Sequence, residues 1–197
     1  MFGIKKIKAL KNKPVLADIL DLAAFCLVII IVARLFTSFI ILTGYVPSGS
    51  MEPRIMTHDR IIANRMAYWI NEPGRGHIVV FHAPDERATT GEIRYYVKRI
   101  IGLPGESVLI YDGRVYIDDD LLDEYYLMEG VETFDNSGRQ PYLVPENHFF
   151  VLGDNRGDSH DSRFWANTQF VPREYIRGRV FVKYSLRLSN LHIRTVG

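Results

Sequence analysis

The chain has 197 residues, a hydrophobic fraction of 47%, and 11 Tyr, 11 Phe and 2 Trp, enough for one sizeable core once an apolar anchor is set aside. Net charge is +1, but Lys5, Lys6, Lys8, Lys11 and Lys13 crowd the first thirteen residues without an acid, leaving 19 basic against 23 acidic residues elsewhere. No basic cluster interleaved with stacking aromatics follows that tail, so no nucleic-acid partner is expected. The single cysteine, Cys26, excludes intrachain disulfides and cysteine metal sites. None of His58, His77, His82, His148, His160 and His192 forms the i, i+4 pair of a helical zinc motif, and all six read as surface or turn residues.

Residues 1–15 form the basic tail. From Leu16 to Phe36 the chain is apolar, and about 20 residues of helix suffice to cross a hydrocarbon core of roughly 30 Å. Asp18 and Asp21 fall toward the lysine-rich end and Arg34 toward the other, where side chains can reach headgroups. The positive-inside bias keeps the tail in the cytoplasm and puts residues 37–197 on the outer face of the plasma membrane. The rival reading is a cleavable secretory signal with a small-x-small site at Ser48-Gly49-Ser50. The distance from the apolar centre to that triplet is long for a cleavage region, and Thr37 to Val46 reads instead as a β-strand leaving the membrane surface.

Beyond the anchor, short β-like runs alternate with turns: Arg60 to Ala63, His77 to His82, Ile93 to Ile101, Val108 to Tyr111, Val115 to Ile117, His148 to Leu152 and Arg179 to Tyr184. The expectation is an all-β domain behind a single transmembrane helix. Asp112-Gly113 between two apolar runs marks a tight hairpin, because a primed turn needs positive φ. Residues 118–145 are acidic and turn-rich and read as an excursion away from the core. Met66-Ala67-Tyr68-Trp69-Ile70 suits either a membrane interface or an ordinary core.

Three segments carry groups capable of chemistry. Val46-Pro47-Ser48-Gly49-Ser50-Met51-Glu52-Pro53 is a rigid turn offering a hydroxyl nucleophile with a neighbouring donor for an oxyanion, although Ser-Gly-Ser is also ordinary loop composition. In Tyr95 to Ile101, strand alternation puts Tyr96, Lys98 and Ile100 on one face. If that face is the core side, desolvation lowers the Lys98 pKa toward that of a general base; if it is the solvent side, Lys98 is an ordinary surface lysine. Phe149 to Leu152 runs into the polar loop Gly153 to Arg163. That loop has four oxygen donors in Asp154, Asn155, Asp158 and Asp161, but not the order of an EF-hand. Ser159-His160-Asp161 is no triad, because adjacent residues point apart.

Read together, Pro47-Ser48-Gly49-Ser50-Met51-x-Pro53, Gly76-x-Ile78-Val79-Val80-Phe81, Tyr96-Val97-Lys98-Arg99-Ile100-Ile101-Gly102-Leu103-Pro104-Gly105 and Gly153-Asp154-Asn155-Arg156-x-x-Ser159-x-Asp161-Ser162-Arg163 resemble the ordered boxes of bacterial type I signal peptidases. The resemblance continues through Leu122-Asp123-Glu124 and Phe170-Val171-Pro172-Arg173-Glu174. It implies a membrane-bound serine endopeptidase of β-rich fold that removes signal peptides from exported proteins after Ala-x-Ala sites. Its partners would be those preproteins and the lipid bilayer, and it would need no metal or cofactor.

The resemblance further implies Ser50 as nucleophile and Lys98 as general base, with the Ser50 amide and Ser48 hydroxyl as oxyanion hole. Ser159 would orient the lysine, Asp161 and Arg163 would support the site as a pair, and Val46, Met51, Tyr96 and Val97 would line pockets for substrate residues. Arg54 replaces a common Thr and His77 a common Asp of the family pattern, which bears on loop packing and substrate preference. Two alternatives stand beside this reading: another Ser/Lys protease of related fold, such as an autoproteolytic repressor, and a surface-tethered, non-enzymatic β-domain that binds a partner.

Overall fold

A computed structural model describes residues 14–84, 94–187 and 190–196, in two compact units that divide after Ile40. Ile93, the first residue of one expected strand, lies outside the described residues. The first unit is α1 (Pro14–Ile40), a helix of 27 residues and about 40 Å. Apart from Asp18, Asp21 and Arg34 toward its ends and the hydroxyls of Thr37 and Ser38, its side chains are apolar, and it is long and apolar enough to cross a membrane.

α1 runs four residues past Phe36, so the strand expected from Thr37 begins only at Ile41. The hydroxyls explain the difference. Thr37 Oγ1 donates to the carbonyls of Ala33 (2.9 Å) and Arg34 (3.1 Å), and Ser38 Oγ to that of Leu35 (2.7 Å). Back-bonding of this kind satisfies Ser and Thr hydroxyls within a helix.

The second unit holds two antiparallel sheets. In the larger, β1 (Ile41–Tyr45) pairs with β2 (Arg60–Asn64), β2 with the long β11 (Ile176–Arg187), β11 with β3 (Ile78–His82), β3 with β4 (Tyr95–Gly102), β4 with β9 (His148–Leu152), and β9 with β10 (Val171–Pro172). β12 (Asn190–Thr195) also pairs with β11. β3 and β4 register Val79 opposite Lys98, and β4 is buried from Lys98 to its end. The smaller sheet orders β7 (Asp120–Leu121), β6 (Arg114–Ile117), β5 (Ser107–Tyr111) and β8 (Tyr142–Leu143). Asp112 and Gly113, at φ 49° and 74°, close β5 onto β6 as the tight turn expected from the sequence.

Three apolar clusters form the core. Val46, Met51, Ile55, Ile61 and Ile78 make one beneath the β1–β2 connection; Phe81, Ile100, Phe149, Val151 and Trp165 make a second; Ile101, Val108, Phe150 and Leu152 make a third between the sheets. Leu122, Tyr126 and Tyr142 pack against the third, so the segment 118–145 returns to the core at several points. The short helical turn α2 (Ala67–Ile70) splits the two readings of its segment. Tyr68 is buried in the second cluster, while Trp69 and Ile70 are exposed. His82 corrects another expectation. Lying at the centre of the sheet on β3, it is buried, and its Nε2 accepts Arg177 Nε–H at 3.0 Å.

Candidate functional site

The connection from β1 to β2 is tied down from within. The Glu52 amide donates to the Gly49 carbonyl at 2.9 Å and the Ile55 amide to that of Met51 at 2.8 Å, while the Glu52 carboxylate accepts both the amide and the hydroxyl of Thr57. Val46 and Met51 sink into the core near its start. Between them the turn presents Ser48, exposed, and Ser50, half-buried.

Lys98 reaches this turn from the middle of the sheet. It is only 5% exposed, and its Nζ lies 2.6 Å from Ser50 Oγ. Burial lowers its pKa from an ordinary 10.5 to about 8, because the ammonium loses hydration it does not recover; the Asp161 carboxylate works in the opposite direction. A lysine with that pKa is neutral for an appreciable fraction of the time near pH 7, and its lone pair then faces a hydroxyl proton.

The loop after β9 closes the site from the other side. Asp161 and Arg163 form a fully buried bidentate pair with both contacts at 2.8 Å. Asp161 Oδ2 also accepts the Gly153 amide at 3.0 Å. Gly153 is where this loop crosses the serine turn: a Cβ there would sit 2.2 Å from Ser159 Oγ and 2.4 Å from the Ser50 carbonyl oxygen, so only glycine allows the approach. Ser159 is buried beside that crossing, but its hydroxyl makes no hydrogen bond to Lys98 or to any other described residue.

Several site residues were not anticipated. Arg99, next to Lys98 and only 1% exposed, pairs with Asp154 through contacts of 2.8 and 2.6 Å, and Tyr126 stacks 4.0 Å from its guanidinium. Alternation sends Arg99 outward, but β4 is covered on both faces at this point. Arg156 is buried against Glu124 and Thr133, and its Nε donates to the Gly153 carbonyl at 3.1 Å. The segment 118–145 therefore helps hold the loop. Asn155 donates its amide N–H to the Ser50 carbonyl and its side-chain N–H to that of Gly49, each at 3.1 Å.

Ser48, Ser50 and Lys98 open onto one cleft of about 600 Å³, whose walls include Val46, Met51, Tyr96 and Val97. All the residues expected as dyad, oxyanion and pocket residues thus meet in one place. The oxygen donors of the loop do not: Asp154 and Asp161 are taken up by Arg99 and Arg163, and among the described residues no group of three His, Cys, Asp or Glu could hold a metal. His77 accepts the Gly74 amide on its Nδ1 at 3.1 Å and meets Tyr68 Oη at 3.0 Å, so it orders the turn before β3 by a side-chain acceptor.

Relatives share this chain over most of its length. The probable signal peptidase I-2 of Synechocystis is 35% identical over 92% of this chain and 80% of its own, and the signal peptidase I of Leptolyngbya laminosa is 37% identical over 79% and 74%. A crystal structure of a signal peptidase I from Enterococcus faecalis is 33% identical, covers 56% of this chain and 97% of its own, and superposes with a TM-score of 0.44. The family described as signal peptidase, peptidase S26, matches residues 19–185. That span runs from within α1 to β11 and takes in both serines, Lys98 and the whole loop from Gly153 to Arg163, and by it the chain belongs to the signal peptidase, peptidase S26, family.

Proposed function

We propose that this chain is a membrane-bound serine endopeptidase that removes signal peptides from exported preproteins, with Ser50 as nucleophile and Lys98 as general base. The observation that carries the reading is the 2.6 Å contact between Ser50 Oγ and a buried lysine whose pKa has fallen to about 8. Neutral Lys98 takes the hydroxyl proton as Ser50 Oγ attacks the scissile carbonyl carbon. The negative charge that develops on the substrate oxygen is met by the Ser50 amide and the Ser48 hydroxyl. Collapse expels the new amino terminus, which takes the proton back from Lys98 and leaves an acyl-enzyme. Lys98 then activates the water that frees the carboxyl product. Val46, Met51, Tyr96 and Val97 form shallow apolar pockets that admit small residues before the cut, which favours Ala-x-Ala.

Residues 1–15 stay in the cytoplasm, the anchor crosses the plasma membrane once, and the unit that follows Ile40 works on the outer face, where emerging signal peptides are held in the bilayer. Five lysines against no acid in the first thirteen residues support that orientation. The test uses the full chain in detergent with a peptide bearing Ala-x-Ala, the product being mapped by mass. Cleavage directly after the second Ala is expected, and Ser50→Ala and Lys98→Ala each abolish it, the double variant losing little more than either alone. Substantial turnover by either variant removes that residue from the dyad.

A further inference from the structure

Asn155 takes no part in the chemistry just described, yet it grips both peptide groups that flank Ser50. Its backbone N–H donates to the Ser50 carbonyl at 3.1 Å and its side-chain N–H to the Gly49 carbonyl at 3.1 Å, across 106 residues of sequence. In a trans peptide the carbonyl and the amide hydrogen of one plane point in opposite directions. The Gly49 carbonyl and the Ser50 amide belong to one plane, so whatever fixes the first aims the second.

We infer that the Asn155 side chain is a positioning residue that aims the Ser50 N–H at the oxyanion by holding the Gly49 carbonyl. The inference rests on the reading of Ser50 as nucleophile. The other partner of that carbonyl, the Glu52 N–H at 2.9 Å, lies in the same turn and moves with it. Asn155 belongs to the loop that also carries Ser159 and the Asp161–Arg163 pair, so its bond ties the peptide plane to the frame holding the rest of the site. Gly153, two residues earlier, has no side chain and lets the two segments approach closely enough for the bond to form.

The hydrogen bond makes a prediction that space-filling does not. Asn155→Asp keeps the shape but puts an acceptor against the Gly49 carbonyl, whereas Asn155→Ala removes the donor and leaves room for water. Loss of a whole oxyanion donor costs about a hundredfold or more in kcat, so misaiming one should cost roughly tenfold in the Ala variant and more in the Asp variant. KM should stay near that of the wild type, and affinity for a peptide boronate, whose adduct with serine is tetrahedral, should fall in parallel with kcat. Measurement on the alkaline plateau removes any effect of the new carboxylate on Lys98. Melting curves of the full chain in detergent identify a variant that fails to fold, and the other variant then decides. A greater loss for Ala than for Asp, or a rise in KM at constant kcat, overturns the inference. Turnover by Ser50→Ala would overturn the parent reading instead.

Discussion

Lys98 should weaken the fold it serves, and Lys98→Met isolates that cost. Each pKa unit between folded and unfolded states is worth 1.36 kcal/mol, so a fall from 10.5 to about 8 costs roughly 3 kcal/mol while the ammonium is charged. Methionine keeps an unbranched stem without the charge. Losing the contact with Ser50 costs the variant about 1 kcal/mol, leaving a net gain of roughly 2 kcal/mol at pH 7. For a unit of this size that raises Tm by about 4–8 °C. The sign with pH follows from proton uptake: the folded pKa lies below the unfolded one, so between about 8 and 10.5 the unfolded chain binds more protons and the wild type gains stability as pH rises. Paired thermal melts of the full chain in detergent, from pH 6.5 to 10, should therefore show the variant ahead at neutral pH and its lead lost toward pH 10. A Tm difference that stays constant over that range would refute a buried, depressed lysine.

Activity should rise with pH through about 8, with kcat at pH 6 near one hundredth of its plateau; a flat profile in which chemistry is shown to limit turnover counts against a lysine base. Asp161→Ala strands the buried Arg163 guanidinium and should cost about 3–5 kcal/mol by chemical denaturation. Because the Asp161 carboxylate raises the Lys98 pKa, the acid limb of any residual activity should move to lower pH, and an unmoved limb separates the two groups. Gly153→Ala drives a methyl into Ser159 and the Ser50 carbonyl, and a loss of about a hundredfold in kcat/KM is expected; near-normal turnover would mean that the crossing of the two segments is slack.

The legible part of this protein was the part set by local pattern. Val108 to Tyr111, Asp112-Gly113 and Val115 to Ile117 declare a hairpin by alternation and turn chemistry alone, and α1 declares itself by the unbroken apolar run from Leu22 to Ala33 and its apolar flanks. The Thr37–Ile40 extension of α1 did not, because helix and strand compete closely in a short β-branched and aromatic run and the hydroxyl back-bonds decide. Ser50 and Lys98 were visible only through the order of several motifs; alternation alone left the burial of Lys98 open. Arg99, Arg156 and Asn155 stayed hidden for one physical reason. Their partners, Asp154, Glu124 and Gly49, lie 55, 32 and 106 positions away, and nothing in the spacing of a charged or amide side chain records which distant group will meet it.

The buried ion pairs have a consequence for how the site responds to protons. Arg99, Arg156 and Arg163 are each matched to a carboxylate, and Lys183 approaches Asp59 at 3.5 Å. Among the described residues, Lys98 is the buried lysine or arginine without a salt bridge to a carboxylate, and burial brings its pKa down to about 8. The cleft then carries a proton switch at Lys98. Protonating Lys98 removes the lone pair that faces Ser50 and disarms the serine.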